Sequence, residues 1–253
     1  MVKKLTFLEV QDNLAIIYMN NPPNNLINNQ FLDSLQKTIY EAEKNNARAI
    51  LITSKIKHFC AGADPDFFLK NSSKKKYDTM RLIRIVDNIK IPTVAAIKGA
   101  ALGGGFELAL GCDFIIAADT SRIGLVETSV GLIPLSGGVQ RLINRVGSAR
   151  TKEIAMFGRR YDAKTLENWG AINMVVPELN LLAASTAFSK QLSNGPTKAL
   201  KEIKKIANNT AMYGIKKADT KMQESIETVL RSSDAKKGIN FLAGKAKKIN
   251  FKG

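Results

Sequence analysis

The stretch Gly99-Ala-Ala-Leu-Gly-Gly-Gly-Phe-Glu107 decides how this chain is interpreted. Its three consecutive glycines, Gly103–Gly105, leave backbone N–H groups that another group can approach closely. The apolar run Phe106–Leu110 predicts a buried helix, whose N-terminus favours negative charge, including charge that develops in a transition state. Glu107 falls in the first turn of that helix, where a carboxylate is a candidate acid–base group.

Taken alone, the glycine stretch also has a purely structural interpretation. Glycine clusters form tight turns, and a glutamate in a first helical turn complements the helix dipole. The spacing excludes two phosphate-binding motifs, because it is not GxGxxG and no GK[ST] follows. A second glutamate, Glu127, is equally ambiguous, since its context also fits a solvated residue in a first helical turn.

Length and composition describe a globular chain with a strong basic bias. The chain has 253 residues, enough for one large domain or for one domain plus a helical appendage, and its hydrophobic content of 45% allows a sizeable core. We find no apolar run long enough to span a membrane and no secretory signal, so we expect a cytoplasmic protein without membrane insertion.

The net charge of +16 indicates acidic partners, namely nucleic acid, an anionic surface or a phosphorylated small molecule. Basic residues are concentrated only at Lys74–Lys76 and Lys236–Lys252, and the other lysines are spread along predicted helix faces. Because no RNA-binding aromatic signature accompanies them, the sequence does not favour a nucleic-acid partner.

Two cysteines and one histidine limit the possible chemistry. Cys60 and Cys112 lie in apolar contexts, which predicts buried free thiols. The single histidine, His58, excludes a His-rich metal site, and no GxSxG motif supplies a nucleophilic serine. We expect His58 to be a polar residue at a strand end.

Strand and helix patterns alternate until about residue 180, and only helices are predicted after it. The alternation predicts a mostly parallel sheet covered by helices. Strands are expected at Leu5–Val10, Ala15–Tyr18, Ala49–Ile52, Thr93–Ile97 and Phe114–Ala117. Helices are expected at about Asn29–Asn45, with Phe31, Leu35, Ile39 and Ala42 on one face, at Tyr77–Ile89 and from Phe106 on. The later helices are expected at Leu181–Leu192, Pro196–Asn208, Ile215–Leu230 and Asp234–Lys245.

Two small-residue loops follow two of the predicted strands, and both expose backbone N–H groups. His58–Asp64 follows the strand Ala49–Ile52, and Gly99–Gly105 follows the strand Thr93–Ile97. Sites in open α/β sheets form at the carboxyl ends of strands. Two N–H groups from separate loops could therefore hold one carbonyl oxygen as it becomes an oxyanion.

An ordered set of motifs extends along nearly the whole chain. The motifs are Pro22-Pro-Asn-Asn-Leu-Ile-Asn28, Phe59-Cys-Ala-Gly-Ala-Asp64, Ile91–Glu107, Cys112-Asp113, Gly124–Pro134, Gly137–Leu142, Trp169–Val175 and Ser233–Leu242. Any one of them is weak, whereas the ordered set is specific. Together they resemble the crotonase superfamily, the enoyl-CoA hydratase/isomerase family.

The resemblance implies an α/β fold, a spiral of repeated ββα units with a helical C-terminal module that builds a trimer. Residues 1–180 would form the core with the active site, and residues 181–253 the trimerisation module. Hexamers made of two trimers are common in the family. No metal or redox cofactor is implied, and coenzyme A enters as the carrier part of an acyl-CoA thioester substrate.

The resemblance also implies the positions of the site residues. The oxyanion hole falls on the backbone N–H groups of Ala63 and Gly104, and the two carboxylates of the hydratase branch fall on Glu107 and Glu127. The residues expected to line the coenzyme A and thioester site are Ala61, Gly62, Ala63, Asp64, Gly103 and Gly104. Asp113 and Asp119 are expected to be structural.

The expected function is hydration of a trans-2-enoyl-CoA to a 3-hydroxyacyl-CoA. An isomerase or a specialised dehydratase on the same fold is an alternative, although the presence of both glutamates weighs against one-base isomerisation. The basic charge motivates a third hypothesis, an RNA-binding protein on this scaffold. Leu26, Pro65 and the pair Leu135-Ser136 depart from common family residues, so the size of the acyl group stays open.

Overall fold

The computed structural model describes residues 4–66 and 78–253. These residues form the strands β1 (Thr6–Gln11), β2 (Leu14–Met19), β3 (Ala49–Ser54), β4 (Thr93–Ile97), β5 (Ala100–Leu102), β6 (Phe114–Ala118), β7 (Arg122–Gly124), β8 (Tyr161–Asp162) and β9 (Met174–Val176). A six-stranded sheet has the order β1-β2-β3-β4-β6-β9, and a three-stranded sheet has the order β5-β7-β8.

The large sheet is parallel except for the pair β1 and β2. Its inner strands β3 and β4 are buried along their whole length, as expected for parallel strands covered on both faces. Ile52 pairs with Ala95, and Ile97 pairs with Ala117, so apolar side chains meet across the sheet. The mostly parallel sheet predicted from the sequence is confirmed.

The helices cover both faces of the large sheet. They are α1 (Asn29–Lys44), α2 (Arg81–Asp87), α3 (Gly104–Leu110), α4 (Gly138–Phe157), α5 (Ala163–Asn168), α6 (Leu181–Ser193), α7 (Thr197–Tyr213), α8 (Ile215–Asp219), α9 (Met222–Leu230) and α10 (Ser233–Leu242). Short 3₁₀ turns occupy Glu127–Val130 and Glu178–Asn180.

Helix α1 shows how the sequence fixes one of these elements. The side chain of Asn28 caps its first turn by accepting a 2.9 Å hydrogen bond from the Phe31 N–H. The predicted face of α1, which comprises Phe31, Leu35, Ile39 and Ala42, is buried against the sheet. This prediction is confirmed.

The chain repeats one unit as it passes between the two sheets. It leaves the large sheet after β4, enters the small sheet as β5 and turns into α3, and it then passes from β6 to β7 and the turn at Glu127. This repetition is the ββα arrangement that the resemblance implies. It places α3 and the Glu127 turn next to each other at the ends of β5 and β7.

The helices after residue 180 differ in what they cover. Helix α6 packs on the large sheet, where the Phe188 ring lies 5.2 Å from the Phe114 ring, centroid to centroid. Helices α7 to α9 expose apolar side chains, among them Ile203, Met212 and Leu230. Such a surface fits the expected trimerisation module, which stays a prediction, as does a domain division at residue 180.

The last residues fold back onto the core. The buried carboxylate of Asp234 accepts hydrogen bonds of 2.9 and 2.8 Å from the N–H groups of Lys252 and Gly253. Arg48, also buried, donates to the hydroxyl of Thr197 and to the carbonyl oxygen of Phe251. Among the described residues, no helix combines the length and apolar character that a membrane span requires.

Three details differ from the sequence prediction. The helix expected from Phe106 begins at Gly104, because Gly103 supplies the N-cap with a positive φ of 50°. The helix expected over Ile215–Leu230 is interrupted between α8 and α9. The predicted helix Tyr77–Ile89 is observed at Arg81–Asp87, and its first residue lies outside the described residues.

Candidate active site

The two small-residue loops meet beside a cavity of about 330 Å³, a size suited to a small ligand. Its wall combines bare backbone, apolar side chains and a few charged groups. The lining residues are Ile27, Leu32, Ala61, Gly62, Ala63, Asp78, Thr79, Leu82, Leu102, Gly103, Gly104, Glu107, Val126, Glu127, Ser129, Val130, Leu132, Leu135, Ser136 and Arg160. The cavity therefore contains both predicted glutamates.

Direct backbone contact joins the two loops. The Leu102 N–H donates to the carbonyl oxygen of Cys60 at 3.0 Å, and the Cys60 N–H donates to Ala100 at 3.1 Å. A Cβ added to Gly105 would overlap the Cys60 carbonyl group, so only glycine allows this approach. The loops are consequently held in fixed relative positions.

Two backbone N–H groups from the two loops lie side by side. The Ile27 N–H donates to Gly62, and the Asp64 N–H donates to Ile27, both at 2.9 Å, so Ala63 between them keeps its own N–H. Gly104 is the first residue of α3, where an N–H has no acceptor within the helix. If Gly104 carried a Cβ, that atom would lie 3.8 Å from the backbone nitrogen of Ala63, so the two residues are close neighbours. Among the described residues, no hydrogen-bond acceptor is found for either N–H.

Glu107 is a buried carboxylate, only 2% exposed, that is anchored through one oxygen. Its Oε1 accepts hydrogen bonds from the N–H groups of Ser136 at 2.8 Å and Gly138 at 2.9 Å. Burial raises the pKa of Glu107, and these hydrogen bonds oppose that rise. Its Oε2 lies 4.0 Å from the position of a Cβ on Gly104, so this oxygen is next to the N–H pair.

Glu127 approaches the same place from the 3₁₀ turn. Its Oε1 would lie 3.0 Å from a Cβ on Gly103, so the glycine leaves room for the carboxylate. Burial, and to a smaller extent the charge of Glu107, raise the pKa of Glu127 to about 7. Its Oε2 is buried and has no hydrogen-bond partner among the described residues, which is unusual for a carboxylate oxygen.

The remaining predicted site residue, Asp64, lies at the end of its loop and is not among the described residues that line the cavity. Its carboxylate accepts hydrogen bonds from the Asn28 side chain at 3.2 Å and from the Asp66 N–H at 3.1 Å. The other predicted lining residues, Ala61, Gly62, Ala63, Gly103 and Gly104, are all in the cavity wall.

Three residues that the sequence analysis treated as structural have structural roles. His58 Nδ1 accepts a 3.1 Å hydrogen bond from the Ala100 N–H, which fixes the start of β5. Asp113 accepts from Thr93 and pairs with Lys204 at 2.8 Å. Asp119 accepts from the Glu178 N–H.

Cys60 and Cys112 are buried and free, and burial raises the pKa of each thiol to about 12. Both thiols therefore stay protonated and unreactive at neutral pH.

Sequence reasoning missed some functional neighbours of the glutamates. It did not find the N–H groups of Ser136 and Gly138 that hold Glu107, although the departure at Leu135-Ser136 had marked this segment. Leu135 and Arg160 also line the cavity. Nothing in the sequence near Arg160 indicated this position, since its proximity to Glu127 arises from tertiary packing.

The arrangement suits chemistry at a carbonyl compound that becomes negatively charged. Two N–H groups can stabilise an oxyanion, and two carboxylates with raised pKa values can move protons near it. Among the described residues, no group of three His, Cys, Asp or Glu side chains could hold a metal ion.

Comparison with known proteins identifies the family of the chain. The enoyl-CoA hydratase/isomerase family model matches residues 9–253. The protein YngF of Bacillus subtilis (strain 168), named as an enoyl-CoA hydratase/isomerase, is 31% identical over 98% of both chains. The carnitinyl-CoA dehydratase of Escherichia coli (strain SMS-3-5 / SECEC) is 36% identical over 60% of this chain and 59% of its own.

A solved structure shows the same fold. The crystal structure of an enoyl-CoA hydratase from Geobacillus kaustophilus HTA426 has a TM-score of 0.91 at 26% identity, and the match covers 99% of this chain and 97% of the other. The crotonase-like fold with a helical C-terminal module is thus confirmed. The chain belongs to the enoyl-CoA hydratase/isomerase family.

Proposed function

We propose that this protein hydrates trans-2-enoyl-CoA thioesters to 3-hydroxyacyl-CoA. One observation carries the proposal: the N–H groups of Ala63 and Gly104 share a cavity with the carboxylates of Glu107 and Glu127. The N–H pair fits a thioester oxygen, and the carboxylates fit the two carbons of the conjugated double bond. Coenzyme A takes part as the carrier of the acyl group.

The proposed reaction begins with polarisation of the thioester. Hydrogen bonds from Ala63 and Gly104 draw electron density onto the carbonyl oxygen, which leaves Cβ open to attack and stabilises the enolate that follows. Glu107, held by Ser136 and Gly138 through Oε1, keeps Oε2 for a water molecule and accepts its proton as the oxygen attacks Cβ.

Glu127 supplies the second proton. With a pKa of about 7 it is partly protonated at neutral pH, and it delivers its proton to Cα of the enolate. The two glutamates together hold one proton before and after the reaction. It starts on Glu127 and ends on Glu107, and it returns to Glu127 before the next turnover. The same groups run the dehydration of a 3-hydroxyacyl-CoA in reverse.

The direct test is turnover of a panel of trans-2-enoyl-CoA thioesters, followed by the loss of absorbance of the conjugated double bond. We expect hydration, with a 3-hydroxyacyl-CoA identified by mass spectrometry as a gain of one water. Shift of the double bond without water uptake would instead assign the protein to the isomerases.

The pH dependence follows from the roles of the two carboxylates. Hydration needs Glu127 in its protonated form, so kcat/KM for hydration should fall as the pH rises through about 7. Dehydration starts from the same singly protonated pair, with the proton on Glu107. Its kcat/KM should therefore fall over the same interval, because hydration takes up no net proton and the ratio of the two directions is the pH-independent equilibrium constant. Initial rates in both directions between pH 5.5 and 9 measure this, with circular dichroism at each pH as the control for folding. A flat hydration profile up to pH 9 would refute the donor role of Glu127.

The basic charge leads to a prediction about salt. We propose that part of it attracts the phosphates of coenzyme A, an attraction that weakens as the Debye length falls from ~10 Å at 0.1 M to ~3 Å at 1 M salt. The KM for an enoyl-CoA should therefore increase with ionic strength, whereas the KM for the matching pantetheine thioester should change little.

Charge-reversal variants should locate the responsible lysines. Lys247→Glu and Lys248→Glu probe the basic C-terminal segment, while Lys74–Lys76 lie outside the described residues and need the same test. A KM that is independent of salt, combined with tight salt-sensitive binding of generic RNA, would favour the nucleic-acid hypothesis.

A further inference from the structure

One exposed cationic residue lines the catalytic cavity. Arg160 is the only lysine or arginine among the described residues that line it. Arg160 follows helix α4 and precedes β8. If Gly124, at the end of β7, carried a Cβ, that atom would lie 3.5 Å from the Cα of Arg160. The backbone thereby fixes the base of this side chain beside the strand that leads to Glu127.

The guanidinium of Arg160 has no partner within residues 4–66 and 78–253. Other arginines near the cavity are occupied: Arg84 pairs with Asp78, the lining aspartate, and Arg141 pairs with Asp87. The adjacent Arg159 stacks over the Phe157 ring, with its guanidinium carbon 4.4 Å from the ring centre. Arg160 thus differs from its neighbours in being free to meet a ligand.

Arg160 also leaves the catalytic carboxylates unpaired. Burial and the charge of Glu107 raise the pKa of Glu127, and no cation lowers it. A guanidinium in contact with Glu127 would have lowered that pKa. Arg160 therefore shares the cavity with the glutamates without neutralising them.

The turn that carries Arg160 packs against the 3₁₀ turn Glu127–Val130. A Cβ on Gly158 would lie 2.5 Å from Thr128 Oγ1 and 3.2 Å from the Ser129 nitrogen, so this turn rests on the 3₁₀ turn that follows Glu127. In the proposed hydration the double bond lies at the glutamates, so an acyl chain that continued past Glu127 would meet this turn. Val126 and Val130, at the two ends of the 3₁₀ turn, also line the cavity.

We propose that Arg160 determines substrate specificity by binding an anionic group, a carboxylate at the far end of the acyl chain. This inference rests on the hydration proposed above. A guanidinium offers a planar fork of N–H donors that matches a carboxylate in two parallel hydrogen bonds. The preferred substrates would then be enoyl-CoA thioesters of dicarboxylic acids.

The test compares two thioesters that differ only in the terminal charge: hexenedioyl-CoA and its terminal methyl ester. We expect the natural chain to favour the free carboxylate by about tenfold in kcat/KM, as a charge-assisted hydrogen bond typically provides. Arg160→Gln should remove this preference by raising KM for the carboxylate substrate alone, and Arg160→Lys should restore part of it.

Arg159→Gln is the matched control, because it removes the same charge from the neighbouring position, whose side chain stacks on Phe157. It should keep the preference for the carboxylate. An equal loss on both substrates in Arg160→Gln would show a merely structural role and overturn the proposal. Hydration of both substrates by the natural chain without a preference would overturn it as well.

A second pair of substrates separates the acyl carboxylate from the phosphates of coenzyme A. The effect of Arg160→Gln should persist when pantetheine thioesters replace the CoA thioesters. If it disappears with them, Arg160 binds a phosphate and the proposal is wrong. If no thioester of any kind is hydrated, the proposed function itself fails, and this inference fails with it.

Discussion

Glu107→Gln and Glu127→Gln should each lower the hydration rate by roughly 10²–10⁴-fold, the usual contribution of a general acid or base. An amide keeps the shape of the carboxylate but neither accepts nor releases a proton at neutral pH. At position 107 the amide oxygen can still accept from the N–H groups of Ser136 and Gly138, so the fold should be retained. Steady-state hydration of a short enoyl-CoA measures the loss.

Glu153→Gln is a suitable control for both variants, since Glu153 forms a surface ion pair with Arg150 on helix α4. Such pairs contribute about 0–1 kcal/mol, so activity and melting temperature should both stay close to those of the natural chain. Turnover near the natural rate in either active-site variant would refute the role proposed for that glutamate.

Gly104→Pro should lower the hydration rate by about 10²–10³-fold, because proline lacks the N–H proposed to bind the thioester oxygen. Gly104 is the first residue of α3, a helical position that tolerates proline well. The expected loss therefore concerns the oxyanion and not the helix. Hydration rates together with the thermal unfolding curve measure the two separately.

Gly104→Ala separates the missing N–H from the added bulk. Its Cβ would lie 3.1 Å from Cδ1 of Ile27, so it introduces similar crowding while it keeps the N–H. We expect the alanine variant to keep far more activity than the proline variant. Equal activities, or a folded proline variant that hydrates at the natural rate, would show that Gly104 is not the donor.

The sequence allowed prediction of the elements whose signals are local. The strand Thr93–Ile97 has the predicted bounds, and the apolar face of α1 is buried as its spacing requires. The candidate site residues were predicted from the resemblance. In the structure Glu107 and Glu127 line one cavity, although 20 positions separate them in the sequence. Periodicity alone left both glutamates ambiguous.

What the sequence did not reveal depends on contacts between distant segments. Strands β5 and β7 have only three residues each, too few for an alternating pattern to be recognised. The anchoring of Glu107 by Ser136 and Gly138 joins positions about thirty residues apart, and the donors are backbone groups that exist in every residue type. The raised pKa of Glu127 results from burial, which only the folded chain creates.

The proposed oxyanion donors, the N–H groups of Ala63 and Gly104, belong to the main chain, and this affects how the protein can evolve. A point mutation in a codon replaces a side chain, and only a change to proline deletes an N–H. In the proposed mechanism, activation of the thioester is therefore robust to most mutations, provided that the glycines allowing close loop contact are kept. With the roles proposed here, substitutions at positions 107 and 127 would alter the reaction, and substitutions at position 160 would alter the choice of substrate, while the groups that stabilise the enolate stay in place.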